Sequence, residues 1–117
     1  MNYIFQTKYD NIMKTITKDE LKNKLENGNI HLVEVLDEEA FKKSHIKGAI
    51  NIPLKKIGTE AKQRFSEKDE IVVYCSNYDC SASPTAAEKL ESLGFENVFD
   101  YEGGKKEWSE AGLAMES

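Results

Sequence analysis

Arginine is nearly absent: Arg64 is the single one among sixteen Lys and Arg residues. Cysteine, proline and histidine occur only twice each. No apolar stretch approaches the roughly 20 residues that a membrane span needs, and residues 1–20 hold no continuous apolar h-region of a secretory signal. The expected location is therefore cytoplasmic, with no membrane partner. The net charge is -5 and the pI near 5.1, with lysines interleaved among acids, so there is no basic patch to neutralise phosphates and no nucleic-acid partner is expected. Two cysteines are too few for a disulfide framework and point instead to reactive thiols or to nothing. Cys75, Cys80, His31 and His45 do not make a zinc set, because the histidines lie far upstream and are not a ligand pair. Neither a metal nor a cofactor is expected.

What remains is ordinary globular material. With 117 residues, 39% hydrophobic and 32% charged, the chain makes one domain with a real core. Strands and helices alternate without repeat or linker. Thr17-Lys18-Asp19-Glu20 is a capping-box pattern that opens a helix with Leu21 and Leu25 on one face, ending near Asn27-Gly28. His31 to Leu36 reads as a strand, residues 37–43 as a short helix, and Ala49 to Ile52 as a short strand ended by Pro53. Leu54 to Phe65 suits an amphipathic helix broken at Gly58. Ile71-Val72-Val73-Tyr74 is a fully apolar run between charged Glu67-Lys68-Asp69-Glu70 and Cys75, which fits a central parallel strand buried on both faces. A helix over 84–93 carries Ala86, Ala87, Leu90 and Leu93 inward, with Pro84 in its first turn. Val98-Phe99 makes another strand, and a last short helix over 105–110 turns Trp108 inward. Tyr3, Ile4, Phe5, Tyr9, Ile12 and Met13 are too apolar for a free tail and are expected to pack on the domain or a partner.

Cys75 follows the apolar strand and opens the small, polar segment Ser76-Asn77-Tyr78-Asp79-Cys80-Ser81 before the next helix. A thiol at the carboxyl end of a buried strand, feeding a helix amino terminus, sits where backbone N–H groups favour a thiolate. That is also where open α/β sheets do their chemistry.

Several segments together resemble a single rhodanese-homology domain. They are Leu32-Val33-Glu34-Val35, the run His45 to Pro53, the Tyr74-Cys75 loop, and Tyr101-Glu102-Gly103-Gly104 with Trp108 and Gly112-Leu113. The resemblance spans residues 15–116 and divides the chain into an amino-terminal extension, 1–14, and a rhodanese-like domain, 15–117. It implies a three-layer α/β fold, a central, mainly parallel sheet with helices on both faces. It also implies a sulfurtransferase in which Cys75 is the catalytic nucleophile. Cys75 would carry sulfane sulfur as a persulfide and pass it to a thiophilic acceptor. Ser76, Asn77, Tyr78, Asp79, Cys80 and Ser81 would form the substrate-binding loop, their N–H groups cradling the anion. The partners implied are a small sulfur donor and a protein persulfide or thiol acceptor.

Three features depart from the family pattern. The loop lacks the arginine or lysine that holds the anionic end of thiosulfate and carries Asp79 and Cys80 there instead, so thiosulfate is expected to be a poor donor. The same lack argues against a phosphatase or arsenate reductase of this topology. The strand reads Glu34-Val35-Leu36 where the family often has Asp-Val-Arg, removing another charged pair. The stretch from Cys75 to Gly94 is about two residues long on this alignment, with the extra residues around 80–84. Cys80 is either a resolving thiol, able to attack a Cys75 persulfide or sulfenic acid, or a small side chain filling the loop. Ser81 and Ser83 are expected as helix caps, and His45, Gly103-Gly104 and Trp108 as structural residues. Two other functions stay open: a non-catalytic rhodanese-homology module that binds a protein, and a dithiol redox protein using Cys75 and Cys80.

Overall fold

A computed structural model describes residues 14–117; the expected packing of the amino-terminal apolar residues lies outside the described residues. Four parallel strands make the main sheet, in the order β3-β1-β4-β5, with β1 Ile30–Glu34, β3 Ile50–Asn51, β4 Glu70–Tyr74 and β5 Asn97–Tyr101. The period-2 alternation of side chains sorts each strand onto two cores. Val33, Ile71, Val73, Cys75 and Val98 face one side, under α3 (Ile57–Arg64) and α4 (Ala82–Ser92), which bury Ile57, Ala61, Ala86, Ala87 and Leu90 there. Leu32, Val72, Tyr74 and Tyr101 face the other, under α1 (Lys18–Asn27) and α5 (Gly104–Glu110), which bury Leu21 and Trp108. The fold class is thus as expected: a mainly parallel sheet between two helical layers.

Thr17 caps α1 as its sequence predicts, accepting from the Glu20 N–H while Glu20 Oε1 accepts from the Thr17 N–H. Other boundaries differ. Gly58 does not break a helix; a 3-10 turn over Leu54–Lys56 leads straight into α3. His45–Ile46, after the short helix α2 (Glu38–Lys43), is a two-residue strand, β2. It pairs antiparallel with β6, Met115–Glu116, in a separate two-stranded sheet. His45 is held there by stacking on Phe41 and by its Nδ1, 2.8 Å from the Phe41 carbonyl. The helix expected from residue 84 starts two residues earlier, so Pro84 is its third residue, still within the turn where N–H groups lack helical partners. Among the described residues no helix is long and apolar enough to cross a membrane.

Candidate active site

Cys75 is the first residue beyond β4, with the side-chain direction of Ile71 and Val73, so its sulfur turns under the start of α4. It is 1% exposed. The loop after it is a tight turn built by Asn77, whose Oδ1 accepts from the Asp79 N–H at 2.9 Å and whose carbonyl accepts from the Cys80 N–H at 3.1 Å. That turn carries Cys80 back toward the sheet. The two cysteine Cα atoms lie 6.4 Å apart and their sulfurs form a disulfide. A sequence that argues poorly for a disulfide therefore contains one, because the Asn77 turn folds five residues back on themselves.

The pairing changes the expected picture of the sulfur. The sequence predicts a thiolate cradled by the amides of the loop around it. Instead, Cys80 lies over Cys75, and two of those amides, of Asp79 and Cys80, close onto Asn77. The polar group at the sulfur is a hydroxyl: Ser83 Oγ lies 3.5 Å from Cys75 Sγ. Ser83 was expected as a helix cap, but it is the second residue of α4, 2% exposed, with its side chain turned down onto the site. Ser81 occupies the N-cap position without a side-chain cap bond; its carbonyl accepts from the Thr85 hydroxyl at 2.9 Å.

The floor of the site is tied to α5. The Lys105 N–H donates to the Cys75 carbonyl at 3.0 Å and the Lys106 N–H to the Ser76 carbonyl at 2.9 Å. Gly104, at φ 63°, lets the two backbones approach. The Lys105 side chain then reaches across the carboxyl ends of the strands to Glu34 Oε2 at 3.1 Å and to the carbonyls of Ala40 and Ser44. Glu34 is fully buried and also accepts from the Tyr74 hydroxyl at 2.9 Å. Burial pushes both the Glu34 carboxyl and the Tyr74 hydroxyl up. The strand position that departs from Asp-Val-Arg is therefore not without a cation; Lys105 supplies one from 71 residues away.

Beside the loop lies a groove of about 270 Å³ lined by Asn77, Tyr78, Asp79, Lys106, Glu107 and Glu110. Tyr78 is 66% exposed and its hydroxyl donates to Glu107 Oε2 at 3.2 Å, while Tyr101 donates to Glu107 Oε1 at 2.8 Å. Lys106 is the one cation on this lining, outnumbered by three carboxylates.

Sequence reasoning missed Asp100. It lies on β5 with the side-chain direction of Val98, in register with Val73, and is 0% exposed. Among the described residues neither carboxylate oxygen has a hydrogen-bond partner of ordinary geometry. Burial pushes its carboxyl up to about 6, the Ser83 hydroxyl exerting a smaller opposite pull. A folded carboxyl above its unfolded 3.8 keeps its proton where the unfolded chain has lost it, so stability falls as pH rises between about 4 and 6. This group should remove about 3 kcal/mol over that window. Urea midpoints at pH 4 and pH 8 test it: the difference between them should favour pH 8 by that much more in Asp100→Asn than in the parent. An unchanged difference would show that Asp100 titrates in the fold as it does in the unfolded chain.

The description of the family model that matches residues 17–111 is Rhodanese-like domain. The chain belongs to the rhodanese-like family. Among curated relatives it is 35% identical over 101 residues to the HTH-type transcriptional regulator Rv0324 of Mycobacterium tuberculosis, covering 86% of this chain but 44% of that one. It is 30% identical to the thiosulfate sulfurtransferase GlpE of Vibrio cholerae, covering 80% of this chain and 85% of that one. Among solved structures, the BH2092 protein of Bacillus halodurans superposes with a TM-score of 0.83 at 30% identity, over 99% of this chain and 85% of that one. The human single-domain sulfurtransferase TSTD1 superposes with 0.75 at 27%, over 82% and 95%. At family level this rhodanese-like chain has sulfurtransferases as homologues.

Proposed function

We propose that the protein is a sulfurtransferase that carries sulfane sulfur as a persulfide on Cys75. The observation that supports this most is the position of Cys75, first beyond the central strand β4 at the loop where the sheet opens. In the reduced protein the Cys75 thiolate attacks the outer sulfur of a donor persulfide, a thiolate leaves the donor, and Cys75 becomes the persulfide. An acceptor thiolate then takes that outer sulfur and Cys75 leaves as a thiolate. The groove beside the loop favours a neutral or cationic sulfur carrier, a small persulfide or a protein thiol, over the thiosulfate dianion, because Asp79, Glu107 and Glu110 outnumber Lys106. Mass spectrometry of the reduced chain after incubation with cysteamine persulfide, whose ammonium suits the acidic groove, should find one added sulfur on Cys75. Cys75→Ser should carry none and lose transfer by roughly 10³-fold or more, the scale reported for a lost nucleophile. Equal transfer by Cys75→Ser would end the proposal and leave a protein-binding module as the better account.

The Cys75–Cys80 bond supports a second role in the same site. The Cys80 thiolate attacks the inner sulfur of the Cys75 persulfide, hydrosulfide leaves, and the disulfide forms. Thiol counting checks the resolving thiol: mild peroxide should remove two thiols together from the reduced chain without producing a dimer.

A further inference from the structure

Packing alone does not account for Asp100. On its face of β5 the neighbouring side chain is Val98 and the cross-strand partner is Val73, both buried apolar residues. A valine would fill such a place; a carboxyl adds a desolvation cost that the Ser83 hydroxyl offsets only in part. Among the described residues no cationic side chain pairs with it. The main chain of Asp100 is taken by the Lys14 carbonyl and the Ile16 N–H. The Lys14 ammonium turns away, to the Glu96 carbonyl and over the Phe99 ring. From β4 the facing side chain is Val73, from α4 it is the uncharged Ser83, and the charged group that acts on Asp100 is Glu102, which repels it.

The hydroxyl that acts on Asp100 is the one that touches Cys75. Ser83 Oγ lies 3.5 Å from the sulfur, on the sheet face that Asp100 shares with Val73 and Cys75, and it pulls the Asp100 carboxyl down against its burial. A hydroxyl both donates and accepts, so it can pass a proton between two groups that do not meet. We infer that Asp100 is the proton store of Cys75, exchanging a proton with its sulfur through Ser83 whenever that sulfur leaves or attacks. The inference rests on Cys75 being the reacting sulfur of the proposed function.

The exchange balances without a further reagent. In the reductive direction an external thiolate attacks Cys80 Sγ, the less buried of the two sulfurs. A new S–S bond forms to Cys80, the Cys75–Cys80 bond breaks, and its electron pair goes to Cys75. Cys75 takes the Ser83 hydroxyl proton while Ser83 takes the Asp100 proton. One thiolate has been consumed and one carboxylate made. In the forward direction the thiol proton of Cys75 returns by the same route as the sulfur becomes a nucleophile. Asp100 thus acts through Ser83 as a positioning residue for the proton, and Ser83 is the residue that touches the reacting atom.

The test reads the oxidised full-length chain with dithiothreitol as reductant, each rate divided by the thiolate fraction of the reagent. The corrected rate of the parent should fall as pH rises from 5 to 8, because the leaving sulfur loses its acid. Asp100→Asn should give a flat profile, about tenfold slower at pH 5; the usual general-acid gain is larger, but a thiolate already leaves readily. Ser83→Ala should be equally flat although Asp100 is intact, which a packing role for Asp100 does not explain. In a Cys80→Ala background, alkylation of Cys75 by iodoacetamide should show two steps with pH. Adding Asp100→Asn should leave one step at lower pH, since an ionised carboxylate beside the sulfur raises its titration. Parallel reduction profiles in all three chains, or an alkylation curve that Asp100→Asn does not move, would overturn the inference. Either result would leave sulfur loading of Cys75 to stand or fall by the persulfide experiment, which reads no proton.

Discussion

Replacing Lys105 by Met should destabilise the protein by about 3–5 kcal/mol, the cost of stranding one partner of a buried ion pair. Lys105 Nζ donates to Glu34 Oε2, Ala40 O and Ser44 O, and Glu34 has no exposure to water. Without the ammonium, the carboxylate keeps the Tyr74 hydroxyl but loses the charge that offsets its burial. The loss should depend on pH. Burial already raises the Glu34 carboxyl in the fold, and removing Lys105 raises it further, so the variant gains by protonation and is least damaged in acid. Urea unfolding should therefore show a larger deficit at pH 8 than at pH 5. A second change, Glu34→Gln, should restore much of the loss, because it removes the stranded charge. A deficit independent of pH, and unmoved by the second change, would mean that Lys105 contributes packing and not charge. Since the N–H of Lys105 remains to hold the Cys75 carbonyl, sulfur loading per folded molecule should stay near the parent level.

That ion pair also marks where the sequence stops being legible. Signals that lie within a few residues of one another survive into the structure. The Thr17-Glu20 box caps its helix, and Ile71 to Tyr74 is the central strand buried on both faces. Glu34 and Lys105 are 71 residues apart and meet because α5 starts over the carboxyl end of β4, next to the end of β1. Taken alone, Glu34 looked like the loss of a family charge pair. Ser83 was misread for the opposite reason. A serine before a helix fits a local capping rule, but the helix starts two residues earlier and turns Ser83 inward. Asp100 was hidden because Val98-Phe99 alone suggests a strand without telling how far it runs or which face Asp100 takes; pairing with Val73 decides that. The two-residue strands β2 and β6 carry too few residues for any periodicity and exist through each other. The cysteine pair was half legible: the spacing allows it, and the Asn77 turn makes it.

Gly104→Ala should cost about 3 kcal/mol and displace the site itself, although Gly104 is not part of the chemistry. An L side chain at φ 63° carries a penalty of roughly 1–2 kcal/mol for the left-handed backbone. The added methyl would also lie 2.5 Å from the Cys75 carbonyl oxygen, 2.7 Å from the Ser76 carbonyl carbon and 2.8 Å from its oxygen. These are main-chain atoms that cannot rotate away, so α5 and the loop must part. Parting them stretches the bonds from the Lys105 and Lys106 N–H groups to the Cys75 and Ser76 carbonyls, each worth about 1 kcal/mol. Gly28 separates the two contributions. It is also left-handed, at φ 78°, but nothing lies within 4 Å of its added methyl, so Gly28→Ala should cost only the backbone penalty. The excess of Gly104→Ala over Gly28→Ala in urea unfolding measures the close approach alone. The carbonyl end of Cys75 is anchored by that approach, so Gly104→Ala should also slow closure of the Cys75–Cys80 bond after peroxide, while Gly28→Ala should not. Equal stability and equal closure rates in the two variants would show that the α5 turn does not hold the reactive loop in place.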